Sequence, residues 1–217
     1  MNQNEHLDAL KDIRSIMDRS SRFISLSGLT GVFAGAYALL GAFAAYHHLN
    51  IKLSDSNYYQ YALSEDGSYR ISFLSFFFLD AGLVLLASLL TGYLLTYRKA
   101  KKAGQKLFDK TAFRLAVNLF IPLISGGVFC LILLSHKQVG LIAPCMLLFY
   151  GLALINASKY TLDDIRYLGL CEIALGLISA YYIGFGLLFW SIGFGILHII
   201  YGVMMYNKYD RVRSYNK

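Results

Sequence analysis

Residues 168–206, LGLCEIALGLISAYYIGFGLLFWSIGFGILHIIYGVMMY, decide how the whole chain is read. The stretch is two apolar runs parted only by Gly184-Phe185-Gly186, and each run approaches the roughly 20 residues that a helix needs to cross a bilayer core. Glu172 stands in the first run and His198 in the second. An ionisable side chain inside an apolar span costs about 2.5 to 3.5 kcal/mol on insertion scales, so it usually faces the bundle interior with a partner. Spacing proposes the partner here. With the turn at Phe185, Glu172 lies thirteen residues before it and His198 thirteen after. At about 1.5 Å per residue both sit about 20 Å from the turn, at one depth. Spacing gives the depth and leaves the azimuth open.

The same texture recurs outward from this hairpin. Of 217 residues, 57% are hydrophobic and 15% charged, whereas a soluble domain carries about 25% charged. Apolar runs at 23–46, 71–93, 115–134 and 139–157 precede the hairpin and bring the number of spans to six. Residues 1–22 are polar, with Leu7, Leu10, Ile13 and Met17 at helical spacing, which predicts a short amphipathic helix. Ala42-Phe43-Ala44 resembles a signal-peptide cleavage site, but the first run spans 24 residues, longer than the roughly 7 to 15 of a signal h-region. A retained span is the reading adopted. Cys130, Cys145 and Cys171 all lie in apolar runs, so they read as small core residues and no disulfide framework is expected.

Charge orients the spans. The net charge of +7 is segregated by loop, which argues against a nucleic-acid partner. With the amino terminus inside, seventeen of the twenty Lys and Arg residues fall on the cytoplasmic side, and only Lys52, Arg70 and Lys137 fall outside. Cations accumulate in short cytoplasmic segments, so both termini are expected in the cytoplasm. The expected fold is all-α: a polytopic membrane protein with six transmembrane helices as three helical hairpins, about 23–97, 113–158 and 168–206. Residues 23–217 would form one transmembrane domain ending in a basic cytoplasmic tail.

An internal likeness supports the hairpins. Leu89-Leu90-Thr91-Gly92, Leu148-Phe149-Tyr150-Gly151 and Ile199-Ile200-Tyr201-Gly202 each place two bulky apolar residues and a hydroxyl residue before a glycine. Arg22-Phe23 and Arg166-Tyr167 precede odd-numbered spans, and at the same offset of 144 Ala36-Tyr37 matches Ala180-Tyr181. Three parallel hairpin copies would produce this pattern. The segments RSSRFISLSG at 19–28 and LFWSIGFGILHIIYG at 188–202 resemble a family of uncharacterised bacterial six-span inner-membrane proteins, over nearly the whole chain. More distantly, the three glycine-rich hairpins are similar to the triple-hairpin acid-resistance membrane family. These resemblances imply a bacterial inner (cytoplasmic) membrane and supply no catalytic or binding residues.

The candidate polar site is Asp80, Asn118, Asn156, Glu172 and His198. Asn118, five residues into its span, lies level with Glu172, and Asn156 lies nearer the inner surface, so the set would line an inward-facing polar cavity. Asp80, nine residues after Ile71, lies about 14 Å from the outer end, with no evident partner. Glu172 and His198 read either as interhelical glue or as a proton-responsive pair. His47 and His48 with Asp55, Glu65 and Asp66 match no metal-site spacing, and neither does Cys171. The chain contains no P-loop, GxGxxG, HExxH or GxSxG motif, and no cofactor or metal is expected. Pro122 with Gly126-Gly127 predicts a locally bent helix. The preferred function is a non-enzymatic structural or regulatory membrane component, partnered by the lipid bilayer and by another membrane protein or a second copy. The alternative is a small proton-linked transporter or channel using Asp80, Glu172 and His198.

Overall fold

The computed structural model describes residues 26–51, 58–102, 104 and 109–211. The amphipathic helix expected at 1–22 and the last part of the basic tail lie outside the described residues. Among the described residues six helices make up the fold: α1 (Gly28–Leu49), α2 (Ile71–Lys102), α3 (Lys110–Ser135), α4 (Ile142–Ser158), α5 (Asp164–Tyr181) and α6 (Ile183–Arg211). All but α5 are long and apolar enough to cross a membrane. α5 carries Asp164, Arg166 and Glu172 in eighteen residues. α6 is composite, with π-helical segments at Ser191–Leu197 and Tyr206–Arg211.

Several helices outrun the apolar runs that announce them. α2 continues through Arg98, Lys99, Lys101 and Lys102, where cations oppose the negative end of the helix dipole. α3 starts at Lys110 because Asp109 caps it, its carboxylate accepting from the Ala112 amide at 2.7 Å. The cation-bearing residues 98–102 and 110–114 are therefore helical, and residues 207–211 of the tail prolong α6. Pro122 lies within an unbroken α3.

Packing sorts the helices into an inner and an outer set. α1 lies between α2 and α6, α4 lies between α3 and α5, and the start of α6 touches α4. Only 6% of the apolar stretch of α2, and 6% of that of α3, is buried, against 50% for the Val139–Ser158 segment that contains α4. Leu83, Leu90, Ile121 and Ile124 are exposed on those two helices. A continuous apolar surface of this kind requires lipid or another protein against it.

Glycines set the close approaches. The small face Ser27, Gly31, Gly35 meets α6 of the same chain: a Cβ at Gly35 would lie 2.6 Å from the Gly195 carbonyl oxygen, and one at Gly202 would lie 2.5 Å from the Val32 amide nitrogen. α4 and α5 touch in the same manner through Gly151 and Gly169, where an added Cβ on either would lie within 2.7 Å of the other's carbonyl oxygen. Backbones brought this close gain dispersion contacts along the whole seam, the chief source of helix association where no water is expelled. The tightest seams thus join α1 to α6 and α4 to α5, whereas α5 and α6, the expected third hairpin, touch less extensively.

The two ends of the bundle differ. At one end Tyr58–Ala62, Val139–Leu141 and Ile183–Phe185, all 3-10 turns, pack together beside a Leu63–Tyr69 bridge. The Asp66-Gly67 turn signal is realised there. Gly67 takes φ +73°, and the Asp66 carboxylate accepts from the Ser68 amide at 3.0 Å and from its hydroxyl at 2.7 Å. At the other end Asp210 of α6 accepts from Ser27 Oγ at 3.0 Å and the Gly28 amide at 3.1 Å, and pairs with Lys99 of α2 at 2.5 Å. Asp164 at the start of α5 holds Lys208 and Tyr209 of α6.

Candidate functional site

Three helices converge on Glu172, His198 and Tyr150. α5 supplies Glu172, whose side chain has no exposed surface; α6 supplies His198 and α4 Tyr150. His198 Nδ1 lies 2.9 Å from the Gly193 carbonyl oxygen and 3.5 Å from Glu172 Oε1, and Nε2 lies 2.8 Å from the Tyr150 hydroxyl. A carbonyl oxygen can only accept, so Nδ1 carries hydrogen, and in a neutral ring Nε2 accepts from Tyr150. The imidazole thereby ties α4 to α6 while presenting one edge to the carboxyl group of α5.

The π-helical segment Ser191–Leu197 shapes this centre, and π turns recur where a helix must re-aim groups at a site. Gly193 leaves the room that Glu172 fills. A Cβ there would lie 2.5 Å from Glu172 Oε2 and 2.5 Å from Leu147 Cδ2. The Phe194 ring lies 5.8 Å from that of His198 and 5.0 Å from that of Tyr150, which closes another side. Neither Glu172 oxygen has a hydrogen-bond partner, with His198 Nδ1 standing 3.5 Å from Oε1. Spacing along the sequence matches the two residues in depth, and the fold supplies the shared azimuth.

None of the other candidates contacts Glu172 or His198 through a hydrogen bond, and Asn156 and Asn118 meet each other. Asn156 Nδ2 donates to the main-chain carbonyl of Asn118 at 2.9 Å, joining α4 to α3, while Asn118 Nδ2 turns back to the Arg114 carbonyl at 2.8 Å. Both amides are engaged in holding helices rather than in lining a polar cavity with Glu172. The carbonyl that Asn156 reaches lies four residues before Pro122, which has no N–H to offer it. Asp80 sits over Gly41 of α1 and borders an apolar cavity of about 260 Å³ that neither Glu172 nor His198 lines.

Tyr150 and Gly193 were not singled out as site residues, although the repeated endings hold a signal for Tyr150. Each hydroxyl residue in those endings makes a polar contact to another helix. Thr91 Oγ1 meets the Tyr37 hydroxyl at 3.1 Å, Tyr150 meets His198, and Tyr201 meets Cys171 Sγ at 3.7 Å. Among the described residues no three His, Cys, Asp or Glu side chains are grouped as a metal ion would need.

Five helices able to cross a membrane, lipid-type surfaces on α2 and α3, and polar groups gathered inside define the class: a multi-pass helical membrane protein. Compared with known proteins, the chain matches no family model, no curated protein and no solved structure.

Proposed function

We propose that the chain is a non-enzymatic, six-span component of the bacterial inner membrane, both termini cytoplasmic, with a structural or regulatory role exercised through helix packing. α5 counts as the sixth span in this reading. One of its ends holds Lys208 and Tyr209 through Asp164, and just beyond the other Ile183 packs on Gly140 at the opposite end of the bundle. The start of α1 and the lysine-bearing ends of α2 and α6 gather at one end, which supports placing that end in the cytoplasm. The resemblance to the six-span inner-membrane family points the same way, and its natural partners are the lipid bilayer and a second membrane-embedded chain.

The complete enclosure of Glu172 carries the reading. A proton-linked transporter must expose its titrating group to one aqueous phase and then the other, whereas here the carboxyl group is packed against Gly193 and His198 and does not line the cavity beside Asp80. Proton flux into proteoliposomes tests the reading. Wild-type protein, Glu172→Gln and His198→Ala are expected to give the same flux as empty vesicles. Flux that is present in the wild type and lost in Glu172→Gln would establish the transporter instead.

A further inference from the structure

We propose that the cavity beside Asp80 binds a small hydrophobic ammonium ion dissolved in the membrane. The cavity, about 260 Å³, is framed by α1, α2, α3, α4 and α6. Its wall is apolar except for the Cys130 thiol, which turns to the Ile142 carbonyl, and the Asp80 carboxyl, which makes no hydrogen bond or ion pair within the described residues. Gly41 brings α1 so close that an added Cβ would lie 3.1 and 3.2 Å from the two carboxyl oxygens. No donor from α1 therefore comes between them. In an apolar wall a carboxyl group is relieved by taking up a proton or by facing a cation, and no side chain of the described residues supplies the cation, so that place is open to a ligand.

The rest of the wall selects among cations. Phe73, Phe77 and Phe78 of α2 and Trp190 of α6 all line the cavity. Aromatic faces attract a cation through the ring quadrupole, and aromatic rings grouped about a small space are the usual receptor for alkylated ammonium groups. Four rings with one carboxylate fit a positive charge carried on a compact apolar body better than they fit a hydrated metal ion or an anion. Volume and depth limit the source. The cavity is slightly smaller than the roughly 300 Å³ at which drug-sized ligand pockets begin, which suits a small amphiphile. Asp80 lies about 14 Å along α2 from its outer end, deeper than a lipid headgroup sits.

Trp190 is the chain's single tryptophan, so its emission reports on this cavity without a label. The probes are benzyltrimethylammonium and its uncharged carbon isostere neopentylbenzene, titrated into the full-length protein in maltoside micelles, which contain no ammonium group. The proposal expects a saturable change in Trp190 emission, with the cation bound about tenfold more tightly than the isostere. Asp80→Asn should remove that preference and still bind neopentylbenzene, whereas Asp80→Glu should keep the preference. Equal binding of the two probes by the wild-type protein overturns the proposal without any variant having to fold. So does an unchanged preference in Asp80→Asn, the absence of any saturable change, or displacement of the cation by one equivalent of phosphatidylcholine.

Discussion

The side-chain amide of Asn156 donates to the main-chain carbonyl of Asn118, 2.9 Å away, which Pro122 leaves without its helical partner. An unsatisfied carbonyl at membrane depth costs free energy unless a neighbouring helix answers it. Asn156→Ala should therefore destabilise the protein by about 0.6 to 2 kcal/mol. In a Pro122→Ala background the restored N–H takes over the carbonyl and the cost of Asn156→Ala should shrink. Reversible unfolding in mixed micelles, run as a double-mutant cycle, measures the difference. Equal costs in the two backgrounds would contradict the pairing.

Adjacent glycines of α3 make a second comparison. A Cβ at Gly126 would press into the Phe149 ring, whereas one at Gly127 meets nothing within 4 Å. Gly126→Ala is expected to cost about 1 to 3 kcal/mol through overpacking. Gly127→Ala should be neutral or stabilise by up to about 1 kcal/mol, because alanine favours the helix. The same unfolding assay checks both.

Asp210 closes three helix ends, accepting from Ser27 and from the Gly28 amide and pairing with Lys99. Asp210→Ala should fray the start of α1, read as faster hydrogen exchange at the Gly28 amide, while the amides of α4 keep their protection. Lys99→Met should produce a smaller increase, because the cap itself survives.

Acid should loosen the Asp66-Gly67 turn. Hydrogen bonds from the Ser68 amide and hydroxyl hold the Asp66 carboxyl below the ordinary carboxylate range. A folded value below the unfolded one means that the turn's stabilisation is fully present above the unfolded value and is lost as pH falls through the folded one. Exchange at the Ser68 amide should therefore quicken as pH falls into the acid range, relative to its intrinsic rate. Asp66→Asn should abolish that pH dependence.

How much of this was legible in the sequence depends on what set each feature. The helices follow from runs of apolar residues, and the Asp66-Gly67 turn from its backbone chemistry. Helix ends were missed where Asp109 or a run of lysines extended a helix beyond its apolar stretch. Glu172 and His198 meet at 3.5 Å, as counting residues from the turn expects, although 3-10 and π segments interrupt the regular rise of α6. Azimuth depends on packing, which is why counting along the chain did not place Asn156 against the Asn118 carbonyl or Asp80 over Gly41. The Pro122 carbonyl could have been found by subtracting four from the proline's number, but its donor on α4 is a tertiary fact. Gly193 shows the same limit: its role depends on Glu172, which is brought to it by a different helix.

The central claim is that Glu172, His198 and Tyr150, from three helices, pack into one enclosed centre. A double-mutant cycle of unfolding free energies between Glu172→Gln and His198→Phe, each checked for retained helicity, tests it most directly. The account predicts that both single variants are destabilised and that their effects are coupled by about 0.5 kcal/mol or more. Additive effects, with the wild-type carboxyl exchanging protons with the bulk solution within milliseconds, would contradict it.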